Sequence, residues 1–302
     1  MPVSPGAPEL PPPLRQDNLG RAVLYMIAAA VMLPGINACA KHLSSYSIVQ
    51  IGWARYSGHF GLMLVAFVPT YGFAMLRSAA PGLQLLRSGL HCASALLMFS
   101  ALTMVALTTA TAINFSAPLI VTALAPLMLG ERIGWHRAIA VAVGFAGALI
   151  VVRPGYSGDG LATALLLINA FVGANIQILS RKLSAYDRAI TSNTYMVMVG
   201  FLVLTAPLPF VWRNPDNMLD LAVFVAIGIF GGIGHYFLVS AFEQAPATFV
   251  SPFNYLQIVG AAVLGYLVFG HLPDLWTWVG AAIIAASGIF VLFSERRARL
   301  RR

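Results

Sequence analysis

The chain has 302 residues, of which 59% are hydrophobic and 9% charged, and its mean hydropathy is +0.81. Soluble domains are about one quarter charged, so this composition excludes a soluble globular protein and predicts an integral membrane protein. The formal net charge of +8 does not indicate a nucleic-acid partner, because most of the arginines flank predicted spans and form no soluble basic surface.

Residues 1–19 are rich in proline and lack the apolar core of a signal peptide, so they predict a disordered cytoplasmic arm. Ten apolar stretches follow, of the kind that crosses a bilayer as a helix of about 20 residues. They lie at 20–41, 47–70, 82–105, 107–129, 135–152, 160–181, 189–212, 219–242, 248–269 and 274–293. Residues 295–302 form a basic cytoplasmic tail, which suits contact with anionic lipids of the bilayer.

The two halves of the chain repeat one another at a spacing of 140 residues. Leu43-Ser44-Ser45-Tyr46 matches Leu183-Ser184-Ala185-Tyr186, and Ile113-Asn114-Phe115 matches Phe253-Asn254-Tyr255. The ten spans therefore divide into two five-helix repeats, over residues 20–152 and 153–294. Because five is odd, the second repeat enters the membrane from the opposite side. This predicts inverted repeats related by a pseudo-twofold axis in the membrane plane.

The distribution of positive charge predicts the orientation. With both termini inside, fourteen Lys and Arg residues lie on the cytoplasmic side, and only Lys41, Arg153 and Arg213 lie outside. The positive-inside rule selects this topology. We therefore predict an all-α, multi-pass protein of the cell inner (plasma) membrane with cytoplasmic N and C termini, and we expect a monomer.

Polar residues within the spans are the candidate substrate-binding residues, because each is costly in lipid unless it faces the bundle interior or a wet cavity. Asn114-Phe115 in the fourth span and Asn254-Tyr255 in the ninth occupy matching positions, close to Pro118 and Pro252. An amide beside an aromatic ring and a proline supplies hydrogen bonds, a flat apolar face and a weak point in the helix. That combination suits an amphipathic organic solute. The alternative is that both asparagines only bridge neighbouring helices.

The first and sixth spans combine helix-interrupting residues with amides, a pattern expected at binding sites near the bilayer midplane. They contain Pro34, Gly35 and Asn37, and Asn169, Gly173, Asn175 and Gln177, respectively. Asn37 and Gln177 are again 140 residues apart. Asn37, Asn175 and Gln177 are therefore candidate cavity residues, with hydrogen bonding between helices as the alternative.

Basic side chains also fall within the spans. Arg55 and His59 stand four residues apart in the second span, so they share one helix face. Arg55 is a candidate for a two-pronged contact with a substrate carboxylate; equally, its stem can snorkel outward or it can bond helix carbonyls. His91 and His235, at nearly matching positions in the third and eighth spans, can titrate near neutral pH or serve as hydrogen-bonded structural residues.

Several function classes lack their sequence signals. We find no P-loop, no nucleotide-binding glycine motif and no catalytic triad spacing, which disfavours ATP-driven transport and enzyme activity. Cys39 and Cys92 lie within predicted spans, so neither a disulfide nor a zinc site is predicted, and we expect no cofactor. No carboxylate is predicted at the midplane, which favours a facilitator or exchanger over an ion-coupled carrier.

The motifs of the first repeat resemble the EamA repeat of the drug/metabolite transporter superfamily, over nearly all of residues 20–294. They are Asn114-Phe115-Ser116-Ala117-Pro118, Pro126, Leu129-Gly130-Glu131-Arg132, and a helix that contains Gly144 and Gly147. The resemblance implies ten helices, inverted five-helix repeats and cytoplasmic termini. Within the family, the chain is most similar to bacterial exporters of aromatic and neutral amino acids, whose fourth helix also joins an asparagine, an aromatic residue and a proline.

We therefore expect a carrier that exports aromatic or neutral amino acids, or similar small metabolites, by alternating access through a central cavity. The first alternative is a carrier of another small metabolite, such as a vitamin or a nucleotide-like compound. An intramembrane enzyme would need a cluster of His, Asp or Glu at one depth, and the sequence contains no such cluster. A non-transporting scaffold is the third possibility, and it would show no substrate flux.

Overall fold

The computed structural model describes residues 18–117, 119–121, 123–124, 135–152, 160–183, 185–244 and 251–300. Several expectations lie outside these residues: the proline-rich arm up to residue 17, Pro118, Pro126, the motif at 129–132, Arg153 and the last two arginines. Within the described residues every regular element is helical. Helix α1 covers Leu19–His42, α2 Ile48–Tyr71, α3 Pro81–Leu102, α4 Leu107–Asn114, α5 Trp135–Val152, α6 Gly160–Leu183, α7 Ala189–Thr205, α8 Met218–Gln244, α9 Leu256–Phe269 and α10 Leu275–Leu300. A single helical turn over Leu208–Val211 follows α7, and 3-10 segments cover Gly72–Leu76 and Ser251–Tyr255.

Short-range sequence signals explain several helix ends. The Asn18 side chain caps α1 by accepting a hydrogen bond from the Arg21 backbone N–H at 3.0 Å, and Ser47 caps α2 in the same way. Pro81 occupies the first position of α3, where its missing N–H costs nothing. Gly270 ends α9 with a φ of 66°, a left-handed conformation that glycine adopts without strain.

Helices lie at all ten sequence-predicted positions in the described part of the chain, with differences in extent. The seventh ends at Thr205 and not at residue 212, and the α-helix of the ninth begins only at Leu256. The tenth continues to Leu300, so residues 295–300 of the predicted tail are helical. The third ends at Leu102 and not near residue 105, and a turn separates it from α4. The fourth is broken after Asn114, where Phe115 and Ser116 form a turn. Among the described residues, four helices are both long and apolar enough to cross a membrane: Leu19–His42, Pro81–Leu102, Gly160–Ser180 and Met218–Leu238.

The packing of the helices follows the internal repeat. Helix α1 packs on α8, and its equivalent α6 packs on α3; α2 packs on α8 as α7 packs on α3. Helices α2 and α7, α4 and α9, and α5 and α10 are equivalent to each other and also pack together. Exchanging the two repeats therefore preserves the main helix contacts, which is the pattern that a twofold relation between the halves produces.

Glycines bring helices of the two repeats into backbone contact. A Cβ atom added at either Gly58 of α2 or Gly228 of α8 would lie 2.6 Å from the Cα of the other. In the same way, a Cβ at Gly280 of α10 would lie 2.6 Å from the carbonyl oxygen of Gly147 in α5. Close approach at small residues is a main source of helix association in membranes. These contacts therefore join the two repeats at two places.

The inter-helix loops are also tied across the repeats. Tyr46, between α1 and α2, donates its hydroxyl to Asp220 at 2.7 Å and accepts a hydrogen bond from the Asp216 N–H at 2.7 Å. On the equivalent loop of the second repeat, Asp187 accepts hydrogen bonds from the Ser78 hydroxyl and the Ala79 N–H. Each repeat therefore anchors the loop that precedes its second helix on the other repeat.

Candidate functional site

Phe115 and Tyr255, which the internal repeat places at equivalent positions, are in contact. Their ring centroids are 5.3 Å apart and the ring planes are inclined by 41°. Each ring stands at a helix break: α4 ends at Asn114, and the 3-10 segment before α9 ends at Tyr255. The contact therefore joins the two repeats at their equivalent weak points, as the pattern of amide, aromatic ring and proline predicts for a helix interruption.

The hydroxyl group of Tyr255 is buried at this contact. The residue is only 9% exposed, and its hydroxyl has no hydrogen-bond partner among the residues that the structure describes. The hydroxyl lies against α10 at Gly288, where an added Cβ atom would overlap it. Because a buried hydroxyl without a partner costs free energy, a polar atom of a solute that reached it would be bound favourably.

Asn114 takes part in a hydrogen-bond chain between three helices. Its side-chain oxygen accepts a hydrogen bond from the amide nitrogen of Asn169 at 2.8 Å. The side-chain oxygen of Asn169 accepts in turn from the Ser94 hydroxyl at 2.7 Å. Asn169 is buried at the centre of this chain. The side-chain oxygen of Asn114 therefore bridges neighbouring helices, as the alternative to a substrate-binding role predicted. Its amide nitrogen has no hydrogen bond to another described residue.

Asn254 is less constrained than its repeat equivalent. Its side-chain oxygen accepts a hydrogen bond from Gln257 at 3.3 Å, one turn along the chain, and the residue is half-buried in the 3-10 segment. No helix-bridging bond comparable to that of Asn114 ties Asn254 to another described helix. Its amide remains close to Tyr255 and retains hydrogen-bonding capacity.

The three other predicted amides have different environments. Asn37 is half-buried in α1. Asn175 donates its amide to the Phe171 carbonyl of its own helix at 2.9 Å. Gln177 is exposed, and no hydrogen bond between described residues joins it to Asn37. Their assignment to the site stays a prediction.

A second group of polar side chains lies where α2 meets α8. The rings of His59 and His235 are 5.2 Å apart, centroid to centroid, with a tilt of 33°. His59 is 3% exposed, and its Nδ1 has no hydrogen-bond partner in the described part of the chain. His235 Nδ1 lies 2.9 Å from the Gly231 carbonyl oxygen and is the donor to it. Arg55, one turn before His59, has a buried Nε without a partner.

Helix α3 borders this group. Its residue His91 accepts a hydrogen bond at its backbone carbonyl from the Tyr56 hydroxyl at 3.2 Å. Arg87, counted among the cytoplasmic charges in the sequence, is half-buried; it donates from Nε to the Ser180 hydroxyl at 2.5 Å and from a terminal nitrogen to the Ser192 carbonyl at 3.1 Å. The sequence indicated neither of these partners, because no short motif connects positions about 100 residues apart.

Two cavities open beside these groups. One of about 190 Å³ lies between α2 and α8 and is lined by His59, Leu62, Met63, Ala66, Gly232, Ile233 and Tyr236. The other, of about 340 Å³, lies between the two repeats, and its polar lining residues are Thr108, Thr109, Thr163, Asp274 and Thr277. Ile113 also lines the second cavity, so that cavity reaches the residue next to Asn114.

The described residues contain no group of three or more His, Cys, Asp or Glu side chains that could hold a metal ion. Cys39 and Cys92 are buried free thiols. The carboxylates that the structure describes in full lie between helices or in a first helical turn: Asp187, Asp216, Asp220 and Asp274. Glu243 and Glu295 lie toward the C-terminal ends of α8 and α10.

The known proteins to which this chain is similar are named as transporters of small molecules. A transporter named for S-adenosylmethionine uptake in Rickettsia bellii is 30% identical over 78% of this chain and 81% of its own length. A riboflavin transporter of Rhizobium johnstonii is 27% identical over 91% of both chains. The pseudopaline exporter CntI of Pseudomonas aeruginosa is 28% identical over 90% of this chain and 96% of its own. These relatives are transporters and not enzymes.

The fold is shared with a solved crystal structure that matches 92% of this chain and 99% of its own, with a TM-score of 0.64 at 17% sequence identity. The profile of the EamA-like transporter family matches residues 20–153 and again residues 160–293. Nearly the whole chain is thus covered by two successive matches, in agreement with the 140-residue repeat. The chain therefore belongs to the EamA-like transporter family, and it is a membrane transporter of the drug/metabolite transporter type.

Proposed function

We propose that this transporter is a secondary carrier for small amphipathic metabolites that contain a flat ring. The observation that carries the proposal is the contact of Phe115 with Tyr255 at equivalent helix breaks of the two repeats. Aromatic faces favour a stacked ring, and the amides of Asn114 and Asn254 beside them offer donors and acceptors. A solute bound there would touch both repeats, as alternating access about a fixed site requires.

The proposed architecture is ten membrane spans in two inverted repeats, residues 20–152 and 153–294, in the inner membrane with both termini cytoplasmic. It is supported by the charge asymmetry of the sequence and by helix packing that is preserved when the repeats are exchanged. The arm at residues 1–19 and the basic tail at 295–302, of which residues 295–300 continue α10, are proposed to lie outside the transport unit. We propose a monomer, because one chain contains both repeats and the boundary between them.

For the substrate, we place ring-bearing metabolites such as S-adenosylmethionine and riboflavin first. Relatives named for these two compounds align with about 80% and 90% of the chain. Aromatic and neutral amino acids, which the sequence motif favours, come second; they share the amphipathic character but have a smaller ring or none. Outward transport is supported by the relative named as an exporter, whereas the name of the S-adenosylmethionine carriers favours uptake.

Counterflow in proteoliposomes without ATP tests the proposal. Vesicles are loaded with one unlabelled compound, and uptake of the same labelled compound is followed for S-adenosylmethionine, riboflavin, phenylalanine and leucine. We expect accumulation of at least one ring-bearing compound above that in protein-free vesicles. Accumulation of leucine alone would reject the ring-binding site, and no accumulation of any compound would reject the proposed function.

A further inference from the structure

A cationic group that the ring contact does not involve lies between α2, α3 and α8. We call Arg55, His59, His91 and His235 the basic cluster. Arg55 lies one turn before His59, whose ring centroid is 5.2 Å from that of His235, and Tyr56 beside Arg55 donates its hydroxyl to the His91 carbonyl. Arg55 lies within α2 near the backbone contact of Gly58 with Gly228, on the helix that packs on both α3 and α8.

Arg55 has no ionic partner among the described residues. Its guanidinium carbon lies 4.9 Å from the ring centroid of Tyr56, a contact that leaves Nε buried and unbonded. Arg55 as a whole is half-buried, and a cation partly removed from water is costly unless a counter-charge and hydrogen bonds compensate it. The other titratable groups that interact with Arg55 or with the histidines are Arg87, Tyr56 and Cys92, and none of the three is a carboxylate. A ligand that supplies negative charge would complete the site.

The neighbouring helix α8 adds no side chain between Arg55 and His59. A Cβ atom added at Gly231 of α8 would lie in ordinary van der Waals contact, 3.7 Å from both the Arg55 Cγ and the His59 Cβ. Glycine at this position therefore leaves room for about one methyl group between the two side chains. His59, whose Nδ1 is unbonded, also lines the cavity of about 190 Å³ beside Gly232 and Tyr236.

The hydrogen-bonding groups match a carboxylate. A guanidinium presents parallel N–H donors that fit the two oxygens of a carboxylate. The unbonded Nδ1 of His59 adds a donor in one tautomer or in the protonated state. His235 donates from Nδ1 to Gly231, so its Nε2 is the atom left for a ligand or a proton.

We infer that the basic cluster binds the carboxylate of the transported substrate, with Arg55 as the principal contact. The inference rests on the proposed function and narrows its substrate class to ring-bearing metabolites with a carboxylate. S-adenosylmethionine and aromatic amino acids meet this condition. Riboflavin has the ring and no carboxylate, so it should bind more weakly than a carboxylate-bearing compound of similar size.

Matched ligand pairs test the inference on the unmodified protein. Binding to purified protein is measured for S-adenosylmethionine against decarboxylated S-adenosylmethionine, and for phenylalanine against phenethylamine. We expect loss of the carboxylate to weaken binding by about tenfold or more, as the loss of a charge-assisted pair does. Equal binding of both members of a pair would overturn the inference. If no panel compound binds, the proposed function itself fails, which is a distinguishable result.

Variants assign the effect to the cluster. In Arg55→Gln, the ratio of affinities between the carboxylate-bearing compound and its partner in each pair should fall to near one. In Arg55→Lys, part of this preference should remain. Arg77→Gln removes an exposed arginine beyond the 3-10 segment after α2 and should keep the full preference. A preference that survives Arg55→Gln in folded protein would overturn the assignment to Arg55.

Acetate distinguishes the substrate carboxylate from a separate small anion. If the cluster binds the substrate carboxylate, acetate competes with S-adenosylmethionine, and riboflavin flux does not require it. If riboflavin flux instead rises with acetate and loses that dependence in Arg55→Gln, the site serves a separate anion. That result would overturn the narrowed substrate class.

Discussion

Phe115 and Tyr255 occupy equivalent positions of the two repeats, 140 residues apart, and their rings are in contact with centroids separated by 5.3 Å. In a pair related by approximate twofold exchange, such a contact lies close to the axis of exchange. A solute bound beside these rings would therefore contact both halves of the carrier. This relationship makes the ring pair the natural first target for mutation.

Replacing either ring should weaken binding more than it lowers stability. Because an aromatic contact contributes about 0.5–1.5 kcal/mol, Phe115→Leu and Tyr255→Leu should each weaken the affinity for a ring-bearing substrate by roughly two- to tenfold. Phe73→Leu, which removes a ring that is 72% exposed, is the control. Titration of the purified variants measures the change, and affinities equal to wild type in both would remove the ring pair from the site.

Tyr255→Phe separates the hydroxyl from the ring. The hydroxyl is buried without a partner, so its removal should leave the melting temperature unchanged or raise it. If the hydroxyl meets a polar substrate atom, affinity should fall by about tenfold while the ring contact is kept. Melting and binding are measured on the same sample; a large loss of stability would mean that the hydroxyl has a structural partner.

The equivalent asparagines should respond differently to substitution. Asn114→Leu leaves the buried Asn169 amide without its acceptor, which costs about 1–3 kcal/mol of folding free energy. Asn254→Leu removes only the 3.3 Å bond from Gln257, so its stability should stay near wild type while affinity falls. Thermal melts and titrations of both variants check this, and equal destabilisation of the two would contradict the difference in their contacts.

Two glycine substitutions form a matched pair. Gly288→Ala places a Cβ atom on the Tyr255 hydroxyl, so the ring must move, whereas a Cβ atom at Gly61 of α2 meets no atom within 4 Å. We expect Gly288→Ala to lower both melting temperature and affinity for a ring-bearing solute, and Gly61→Ala to change neither by much. The opposite ranking would show that Tyr255 is not packed on α10 as described.

Asp187 should make stability sensitive to acid. Burial alone would raise the pKa of Asp187, but hydrogen bonds from Ser78, Gln84 and the Ala79 N–H together lower that pKa below its usual value. A lowered pKa stabilises the fold above the pKa of the unfolded chain, and this stabilisation is lost as pH falls toward the folded value. Melting temperature should therefore fall between about pH 5 and pH 3, and fall less in Asp187→Asn. An equal fall in both proteins would contradict the role of Asp187.

The sequence predicted the parts of this protein that depend on local pattern. The 140-residue repeat, the positions of the helices and the interruptions beside Asn114 and Asn254 all follow from hydropathy, proline and self-similarity, and the structure has helices and breaks at those places. The family was likewise identifiable from the motif that begins at Asn114, and the two-fold family match confirms it.

The partners of individual polar residues could not be predicted in this way. Membrane helices are apolar on most faces, so hydropathy does not indicate which face meets a neighbour. Asn169 and Gln177, which lie two turns apart on the same helix, illustrate this. Asn169 is the centre of a hydrogen-bond chain, whereas Gln177 is exposed. In the same way, the pairing of His59 with His235 joins positions 176 residues apart, and no local pattern specifies it.

A substrate site at the Phe115–Tyr255 contact is tested most directly by counterflow of labelled S-adenosylmethionine in proteoliposomes without ATP, comparing wild type with the double variant Phe115→Leu/Tyr255→Leu. We expect accumulation with the wild-type protein and a strong reduction with a double variant that melts near the wild-type temperature. Counterflow of equal rate in the two proteins would contradict a binding site at the contact between the repeats.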